Sequence, residues 1–267
     1  MSILKANKLR YLLTNNKPSL ATRLWSTWPF YMEALGMIGH FDYAEYVAEY
    51  SPHSQTDLEN LARAAELHDL GTMIKIDFAN REYVAQKAVA SGFQAVLFAD
   101  HRNADQVEKS VKSIKPDTPE FRGLYGCPAR RFIGTQSHLN QMDHAKRLDE
   151  VVLCFMIEKA DAVQNIDEIC SVPGVDMVQF GPADYSLSNG FNMSENREET
   201  RIVEREIIAT ALRHGISPRC EIQSIDEAQY YINLGVRHFC LGDQFYILQK
   251  FWQEQGKNMR MIVNALK

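Results

Sequence analysis

Closely spaced cysteines and long apolar runs are both missing from this sequence of 267 residues. The five cysteines are far apart and form no CxxC pair: they are Cys127, Cys154, Cys170, Cys220 and Cys240. This spacing excludes zinc-ribbon and thioredoxin-type sites and favours buried, reduced thiols in a cytoplasmic protein. No stretch approaches the roughly 18 consecutive apolar residues of a membrane-spanning helix, so we expect no membrane partner.

An excess of positive charge is also absent. The 29 Lys and Arg residues are outnumbered by 34 Asp and Glu residues, which gives a formal net charge of −5. This balance provides no electrostatic footprint for nucleic acid. The segment MSILKANKLRYLL has neither the apolar core nor the cleavage site of a secretory signal. We therefore expect a cytoplasmic protein that does not bind nucleic acid.

What the chain does contain is a repeated alternation of short apolar runs and longer amphipathic segments. Eight runs are predicted strands: Ser19–Trp25, Tyr43–Glu49, Thr72–Asp77, Ala95–Ala99, Val151–Glu158, Met177–Phe180, Ser217–Ile222 and His238–Leu241. Parallel strands need helical crossovers, and eight such units close a (β/α)₈ barrel of about 250 residues. We predict an α/β fold of this TIM-barrel type, with residues 1–267 as one domain.

An open, doubly wound sheet could use the same elements. However, TRLWSTWPF follows the start of the first strand, where a dinucleotide-binding fold carries a glycine-rich phosphate loop.

Two segments are longer than a (β/α)₈ barrel requires. We predict that a loop within Arg122–Asp149 covers the barrel mouth, and that a helix over about 245–267 packs on a neighbouring subunit of a homo-oligomer.

Two carboxylates stand where a barrel places its chemistry, at the carboxyl ends of strands. Glu158 ends the run VLCFMIE, and Asp184 lies in FGPADYS after the next strand. Neighbouring strands lie about 4.8 Å apart, so the two side chains can converge on one ion, and oxygen ligands suit Mg²⁺ or Mn²⁺. The spacing alone equally fits a salt-bridged glutamate and a helix-capping aspartate.

Longer segments resemble the HpcH/HpaI aldolase family, which comprises class II pyruvate aldolases acting on 4-hydroxy-2-oxo acids. The resemblance runs from about Pro18 to Phe245 and is carried by GHFDYAEYVAEYSPHS, MIEKADAVQNIDEI, VPGVDMVQFGPADYS and LGVRHFCLGDQ. It implies a pyruvate-type barrel, usually hexameric, with Glu158 and Asp184 as metal ligands. It also implies that Ala183, Asp184 and the Gly126 region hold the substrate carboxylate.

Three positions depart from the family pattern. The family's acid/base His is Tyr50 here, following Glu49, and its oxo-binding Arg is Lys75. The Asp that pairs with that His falls on Ala90. The metal-binding half of the site is therefore kept, whereas the proton-transfer half is changed.

Several residues are candidates for the altered half. Tyr50 could transfer a proton if its pKa were lowered, and His53 or His101 could reach the same space. Lys75 could donate to an oxyanion, or form a Schiff base if it were desolvated. Tyr50 has a structural alternative as a packed aromatic at the end of its strand, and each histidine has one as a surface or helix-capping residue.

Two further residues are candidate substrate contacts. Trp25 follows the first strand, and Arg131 lies in the predicted mouth loop, where it could hold a second carboxylate. Solvated loop charge is the structural alternative for Arg131.

Three functions fit these features. The first is a Mg²⁺- or Mn²⁺-dependent carbon–carbon lyase that acts on pyruvate or oxaloacetate and an aldehyde through a stabilised enolate. The second is metal-dependent condensation or decarboxylation of oxaloacetate. The third is a catalytically silent relative that binds a 2-oxo acid.

Overall fold

The eight apolar runs form the strands of a closed parallel barrel, which confirms the predicted (β/α)₈ fold. In this computed structural model, which describes residues 6–134 and 139–266, the strands pair in chain order and β1 pairs with β8. The strands are β1 Ser19–Leu24, β2 Tyr43–Val47, β3 Gly71–Ile76, β4 Ala95–Phe98, β5 Val152–Ile157, β6 Met177–Phe180, β7 Ser217–Ile222 and β8 His238–Asp243. The prediction that residues 1–267 form one domain stays a prediction, since residues 1–5, 135–138 and 267 lie outside the described part.

Helices lie between the strands. The described residues form α1 Lys8–Thr14, α2 Pro29–Ile38, α3 Gln55–Leu67, α4 Arg81–Ser91, α5 Ala104–Ile114, α6 Gln141–Asp149, α7 Ala160–Gln164, α8 Ile166–Cys170, α9 Pro182–Ser188, α10 Arg197–Arg213, α11 Ala228–Asn233 and α12 Gln244–Ala265. Ser54 and Asn103 cap α3 and α5 with their side chains, as their positions predict. Gly92 ends α4 with a φ of 117°, a conformation that favours glycine.

The barrel interior contains apolar side chains toward its amino-terminal end and ion pairs above them. Leu9 of α1 packs against the interior apolar cluster and closes that end. Higher up, Glu45 lies between Arg219, at 2.5 Å, and Arg23, at 2.7 Å, and Arg23 also pairs with Glu221 at 2.6 Å. Side chains thus fill the amino-terminal part of the barrel interior, and the barrel is accessible from its carboxyl end.

The segment Arg122–Asp149 does not cover the mouth, contrary to the prediction. It follows α5, and a segment after a helix of a β/α unit returns to the amino-terminal end of the barrel. Arg131 accordingly pairs with Glu66 in the last turn of α3, at 2.5 Å, and Tyr125 donates to the carbonyl of Gln86 in α4, at 2.6 Å. The part of this segment over residues 135–138 lies outside the described residues.

The C-terminal helix is present as predicted, beginning at Gln244. No residue of its 22 is buried, and its exposed side chains include Phe251, Trp252 and Ile262. The predicted end at Lys267 lies outside the described residues. Across the described part of the chain, none of the helices combines the length and the apolar character that crossing a membrane demands.

Candidate active site at the carboxyl end of the barrel

Three carboxylates converge at the carboxyl end of the barrel. Glu49 follows β2, Asp100 follows β4 and Glu158 follows β5, and one oxygen from each lies within 4.8 Å of the others. Asp100 has a left-handed backbone with φ of 62°, which Asp tolerates better than most residues. The fold therefore brings together three acids that are 51 and 58 residues apart in the sequence.

Glu158 is the most enclosed member of this group, with 1% of its surface exposed. Its Oε1 accepts a hydrogen bond from the backbone N–H of Asp100 at 2.9 Å, whereas its Oε2 is buried and has no hydrogen-bond partner in the part of the chain that the structure describes. Burial raises the pKa of Glu158 to about 7, against the opposing effects of Lys75 and of the Asp100 N–H. A buried carboxylate oxygen without a donor, next to two more carboxylates, is a donor set that fits a divalent cation.

Gly181 leaves room for this carboxylate. A Cβ at this position would lie 2.7 Å from Glu158 Oε2 and 2.7 Å from Glu158 Cβ, closer than real Cβ contacts. The glycine of the GPAD turn is therefore required by the close approach of Glu158.

Asp184 lies in the first turn of α9 and lines the same cavity as Glu158 and Ala183. It is outside the three-carboxylate group. Lys159 stands between them, with its Nζ 2.6 Å from Asp100 Oδ1 and 3.7 Å from Asp184 Oδ1. The two predicted metal ligands thus share one mouth, and Lys159 balances part of their charge.

Lys75 points into the cavity from β3 and pairs with Glu49 at 2.5 Å. Burial alone would lower the pKa of Lys75, but Glu158 and Glu49 outweigh burial and raise it. Its side chain is therefore a fixed cation beside the carboxylates, and the Schiff-base alternative loses the neutral amine that it needs.

Tyr50 and Trp25 form the aromatic rim of the site. Their rings stack with centroids 6.1 Å apart, and the Lys75 ammonium lies 5.7 Å from the centroid of the Tyr50 ring. Burial raises the pKa of Tyr50, and Glu49 and Asp184 raise it further. This direction is opposite to the lowering considered from the sequence, so the Tyr50 side chain is a neutral phenol whose hydroxyl can donate a hydrogen bond. The buried Trp25 Nε1 has no acceptor among the described residues.

The two candidate histidines do not line the cavity. The His101 ring packs between Phe98 and Phe155 in the layer between barrel and helices. Its Nε2 lies 2.7 Å from Arg81 and 2.8 Å from Ser110. Burial and Arg81 lower the pKa of His101 to about 3. The side chain is a neutral core group and cannot serve the carboxylates.

His53 also faces the helix layer. Its Nδ1 lies 3.0 Å from the carbonyl oxygen of Ser51, and its ring meets the edge of Tyr46, which belongs to the core between barrel and helices.

Within one chain, the expected substrate contacts Gly126 and Arg131 are likewise absent from the cavity, because their loop lies at the opposite end of the barrel.

The cavity has a volume of about 680 Å³, which is within the range for small-molecule sites. Its walls include Tyr50, Lys75, Glu158, Ala183 and Asp184. These five of the ten predicted site residues thus lie at one opening.

Sequence reasoning did not assign Asp100, Lys159 or Glu49 to the metal region. All three follow predicted strands or end them, so the sequence did place them at the carboxyl end of the barrel. Their close approach to one another could not be predicted, because it depends on the conformation of the loops after β4 and β5.

The chain is similar to known aldolases along most of its length. The family model described as "HpcH/HpaI aldolase/citrate lyase" matches residues 54–239. A 2-dehydro-3,6-dideoxy-6-sulfogluconate aldolase of Pseudomonas putida is 29% identical over 175 residues, which are 66% of this chain and 66% of that protein. A 4-hydroxy-2-oxo-heptane-1,7-dioate aldolase of Shigella flexneri is 23% identical over 88% of this chain and 86% of its own.

Solved structures share the fold at low identity. The citrate synthase SbnG superimposes with a TM-score of 0.84 at 20% identity, covering 97% of this chain and 99% of its own.

Proposed function

Because the chain belongs to the HpcH/HpaI aldolase/citrate lyase family, we propose that it is a metal-dependent carbon–carbon lyase acting on a 2-oxo acid. The 2-oxo acid is pyruvate or oxaloacetate, and the second reactant is an aldehyde. The observation that carries the proposal is the buried Oε2 of Glu158, which has no hydrogen-bond donor within residues 6–134 and 139–266 and lies at a mouth lined by Lys75 and Asp184.

The residues present fit Mg²⁺ or Mn²⁺. Glu158 and Asp184 are the proposed ligands, with Glu49 and Asp100 near enough to bind through their own oxygens or through water. When bound, such a cation supplies Lewis-acid stabilisation of negative charge on the oxygens of the keto acid.

Lys75 supplies the fixed positive charge of the site. Its ammonium donates to the oxo oxygen as negative charge develops there, which is the task that the resemblance gives to an arginine. A lysine is a point charge and lacks the two-pronged geometry of arginine, so it holds the oxygen with less directional control.

Tyr50 stands at the rim where a proton must be delivered or removed. Since its pKa is raised, its hydroxyl donates a proton or a hydrogen bond to the aldehyde oxygen. The backbone N–H groups of Ala183 and Asp184 lie in the first turn of α9, where they lack intrahelical acceptors and can hold the keto-acid carboxylate.

Condensation or decarboxylation of oxaloacetate is the second candidate. The observation that favours it is the replacement of the proton-transfer half of the site: Tyr50 and Ala90 stand at the two family positions, while Glu158 and Asp184 are kept. A silent relative would have no requirement for a buried, unpaired Glu158.

One assay separates these possibilities. The protein is incubated with oxaloacetate, or with pyruvate and an aldehyde, in the presence of Mn²⁺ or of a chelator. Metal-dependent aldol formation and cleavage supports the lyase, and metal-dependent loss of oxaloacetate alone supports the alternative. Metal binding without turnover would indicate the silent relative. Borohydride should trap no pyruvate on Lys75.

The pH dependence of metal binding follows from Glu158. Its pKa of about 7 in the folded chain lies above its ordinary 4.5, so the native state keeps a proton that the unfolded chain releases between these values. The free energy of unfolding of the metal-free protein therefore falls by roughly 3 kcal/mol as pH rises through this window. Because the cation needs the ionised carboxylate, we expect Mn²⁺ to raise the thermal unfolding temperature little at pH 5.5 and strongly at pH 8.

The matched control for this experiment is Glu158→Gln, which cannot titrate. It should remove both the pH-dependent fall in stability and the effect of Mn²⁺. An equal Mn²⁺ effect at both pH values in the unmodified protein would contradict the assignment.

We also propose that the chain is a homo-oligomer, a hexamer by resemblance, assembled through α12. This helix contacts the barrel chiefly at β1 and β8 and leaves Phe251, Trp252, Met259 and Ile262 exposed. We expect Phe251→Glu with Trp252→Glu to reduce the assembly size in sedimentation velocity, because charged groups oppose burial of this face. Gln253→Glu, which adds one negative charge at an exposed polar position of the same helix, is the control. An unchanged size in the double variant would exclude α12 as the interface.

A further inference from the structure

Acidic groups outnumber basic groups around the proposed metal site. Four carboxylates and two ammonium groups meet there, and they belong to Glu49, Asp100, Glu158, Asp184, Lys75 and Lys159. Four negative and two positive charges leave two negative charges over when all six groups are ionised. One divalent cation would balance this cluster, but it would have to share the carboxylate oxygens with the two lysines.

The two lysines have different partners. Lys75 pairs with Glu49 at 2.5 Å, between β2 and β3. Lys159 comes directly after β5, and its Nζ lies 2.6 Å from Asp100 Oδ1 and 3.7 Å from Asp184 Oδ1. Asp100 belongs to the group of three converging carboxylates, and Asp184 is a proposed metal ligand outside that group. The Lys159 ammonium therefore stands between acids that a bound cation would draw together.

Lys159 is charged in this position but is free to leave it. Burial lowers the pKa of Lys159, but its hydrogen bond to Asp100 and the charges of the nearby carboxylates outweigh burial and raise it. The side chain is 16% exposed, so its flexible four-carbon stem can carry the ammonium out to solvent. A second cation with a stronger hold on the same oxygens can therefore displace it.

We propose that Lys159 is a built-in competitor of the divalent cation, because its ammonium holds Asp100 and Asp184 in the metal-free protein and lowers the metal affinity of the site. This inference rests on the proposed function, since it takes the carboxylates as the metal site. Two cations at close range repel each other strongly where little water screens them. Metal binding therefore requires the Lys159 ammonium to withdraw, and Lys159 is a positioning residue that acts through two acids.

The direction of the expected effect separates this role from a structural one. Removal of a competing charge strengthens metal binding, whereas distortion of the mouth weakens it. The Lys159 side chain makes no capping hydrogen bond to α7 within the described part of the chain. The helix should therefore keep its start when this side chain is replaced by an uncharged one.

The test measures Mn²⁺ binding by titration calorimetry at pH 8, without substrate. Lys159→Met should bind Mn²⁺ at least about 10-fold more tightly than the unmodified protein. Lys159→Arg keeps the charge and should bind no more tightly than the unmodified protein. The matched control is Lys109→Met, which removes the same charge at an exposed site on α5, where Lys109 pairs with Glu82 at 3.0 Å. This control should leave the Mn²⁺ affinity unchanged.

A double-mutant cycle with Asp100→Asn tests whether the competition runs through Asp100. In the Asp100→Asn background the Lys159 ammonium has lost its closer acidic partner and is held less firmly. Lys159→Met should then tighten Mn²⁺ binding by less than about threefold. An equal gain in both backgrounds would contradict the pairing with Asp100 on which the proposal depends.

The outcomes distinguish this inference from the proposed function. Unchanged or weaker Mn²⁺ binding by Lys159→Met, with Mn²⁺ bound by the unmodified protein, would overturn the role of Lys159 and leave the proposed function standing. Absence of Mn²⁺ binding by the unmodified protein and by every variant would overturn the proposed metal site and this inference together.

Discussion

Glu158→Gln should abolish function while preserving the fold. The variant keeps the shape of the side chain but removes the negative charge at Glu158 Oε2. Among the described residues, this buried carboxylate oxygen has neither a hydrogen-bond donor nor an ammonium partner. We expect kcat/KM to fall by about 10³-fold or more, since stabilisation of charge at the reacting oxygen provides much of the rate enhancement in such sites. Mn²⁺ affinity measured by calorimetry should fall by at least about 100-fold.

Stability distinguishes this variant from a folding defect. The fold opposes ionisation of Glu158, as its raised pKa indicates, so the neutral glutamine should unfold at the same temperature as the metal-free parent or higher at pH 8. Glu168→Gln, at an exposed position on α8, is the control and should change neither metal binding nor activity. Retention of Mn²⁺ affinity within about threefold in Glu158→Gln would remove Glu158 from the metal site.

The fold could be predicted from the sequence because the barrel strands carry a local signal. β2 to β6 are buried along their whole length, and such runs stand out as short, continuously apolar segments between amphipathic ones. The direction of each strand follows from its helical crossover. The positions of Lys75, Glu158 and Asp184 at the mouth followed from that direction alone.

The histidines could not be placed in the same way. His101 is only three residues beyond the end of β4, but its ring turns to the helix layer and is fixed there by Arg81 and Ser110. The preceding Asp100 has a left-handed backbone, and no periodicity in the sequence predicts that turn. Arg131 was misplaced for a different reason: its segment follows a helix, so it belongs to the amino-terminal end of the barrel.

The sequence also could not predict which charged side chains form ion pairs inside the barrel. Arg219 and Glu221 lie two residues apart on β7, so both point into the barrel, and their opposite charges and spacing would favour an internal ion pair between them. In the structure Arg219 pairs with Glu45 and Glu221 pairs with Arg23. Which charges meet is decided by closure of the barrel, when β1 and β2 come to lie across from β7.

This internal network leads to the largest expected effect on stability. Arg219 and Glu45 have no exposed side-chain surface, and the Arg219 guanidinium donates to Glu45 at 2.5 Å and to the Tyr43 hydroxyl at 2.8 Å. Burial would raise the pKa of Glu45, but Arg23 and Arg219 outweigh burial and hold it at about 2. The carboxylate is therefore ionised in the interior at neutral pH only because both cations are present.

Arg219→Met should lower the free energy of unfolding by about 3–5 kcal/mol, because it leaves the interior with one carboxylate more than it has cations. Adding Glu45→Gln restores the balance, since Arg23 and Glu221 then remain as a pair. We expect the double variant to be less destabilised than the sum of the two single variants, by more than about 1 kcal/mol, in urea unfolding at pH 7. Additive effects, or a loss below about 1 kcal/mol for Arg219→Met, would mean that water enters the barrel and solvates these charges.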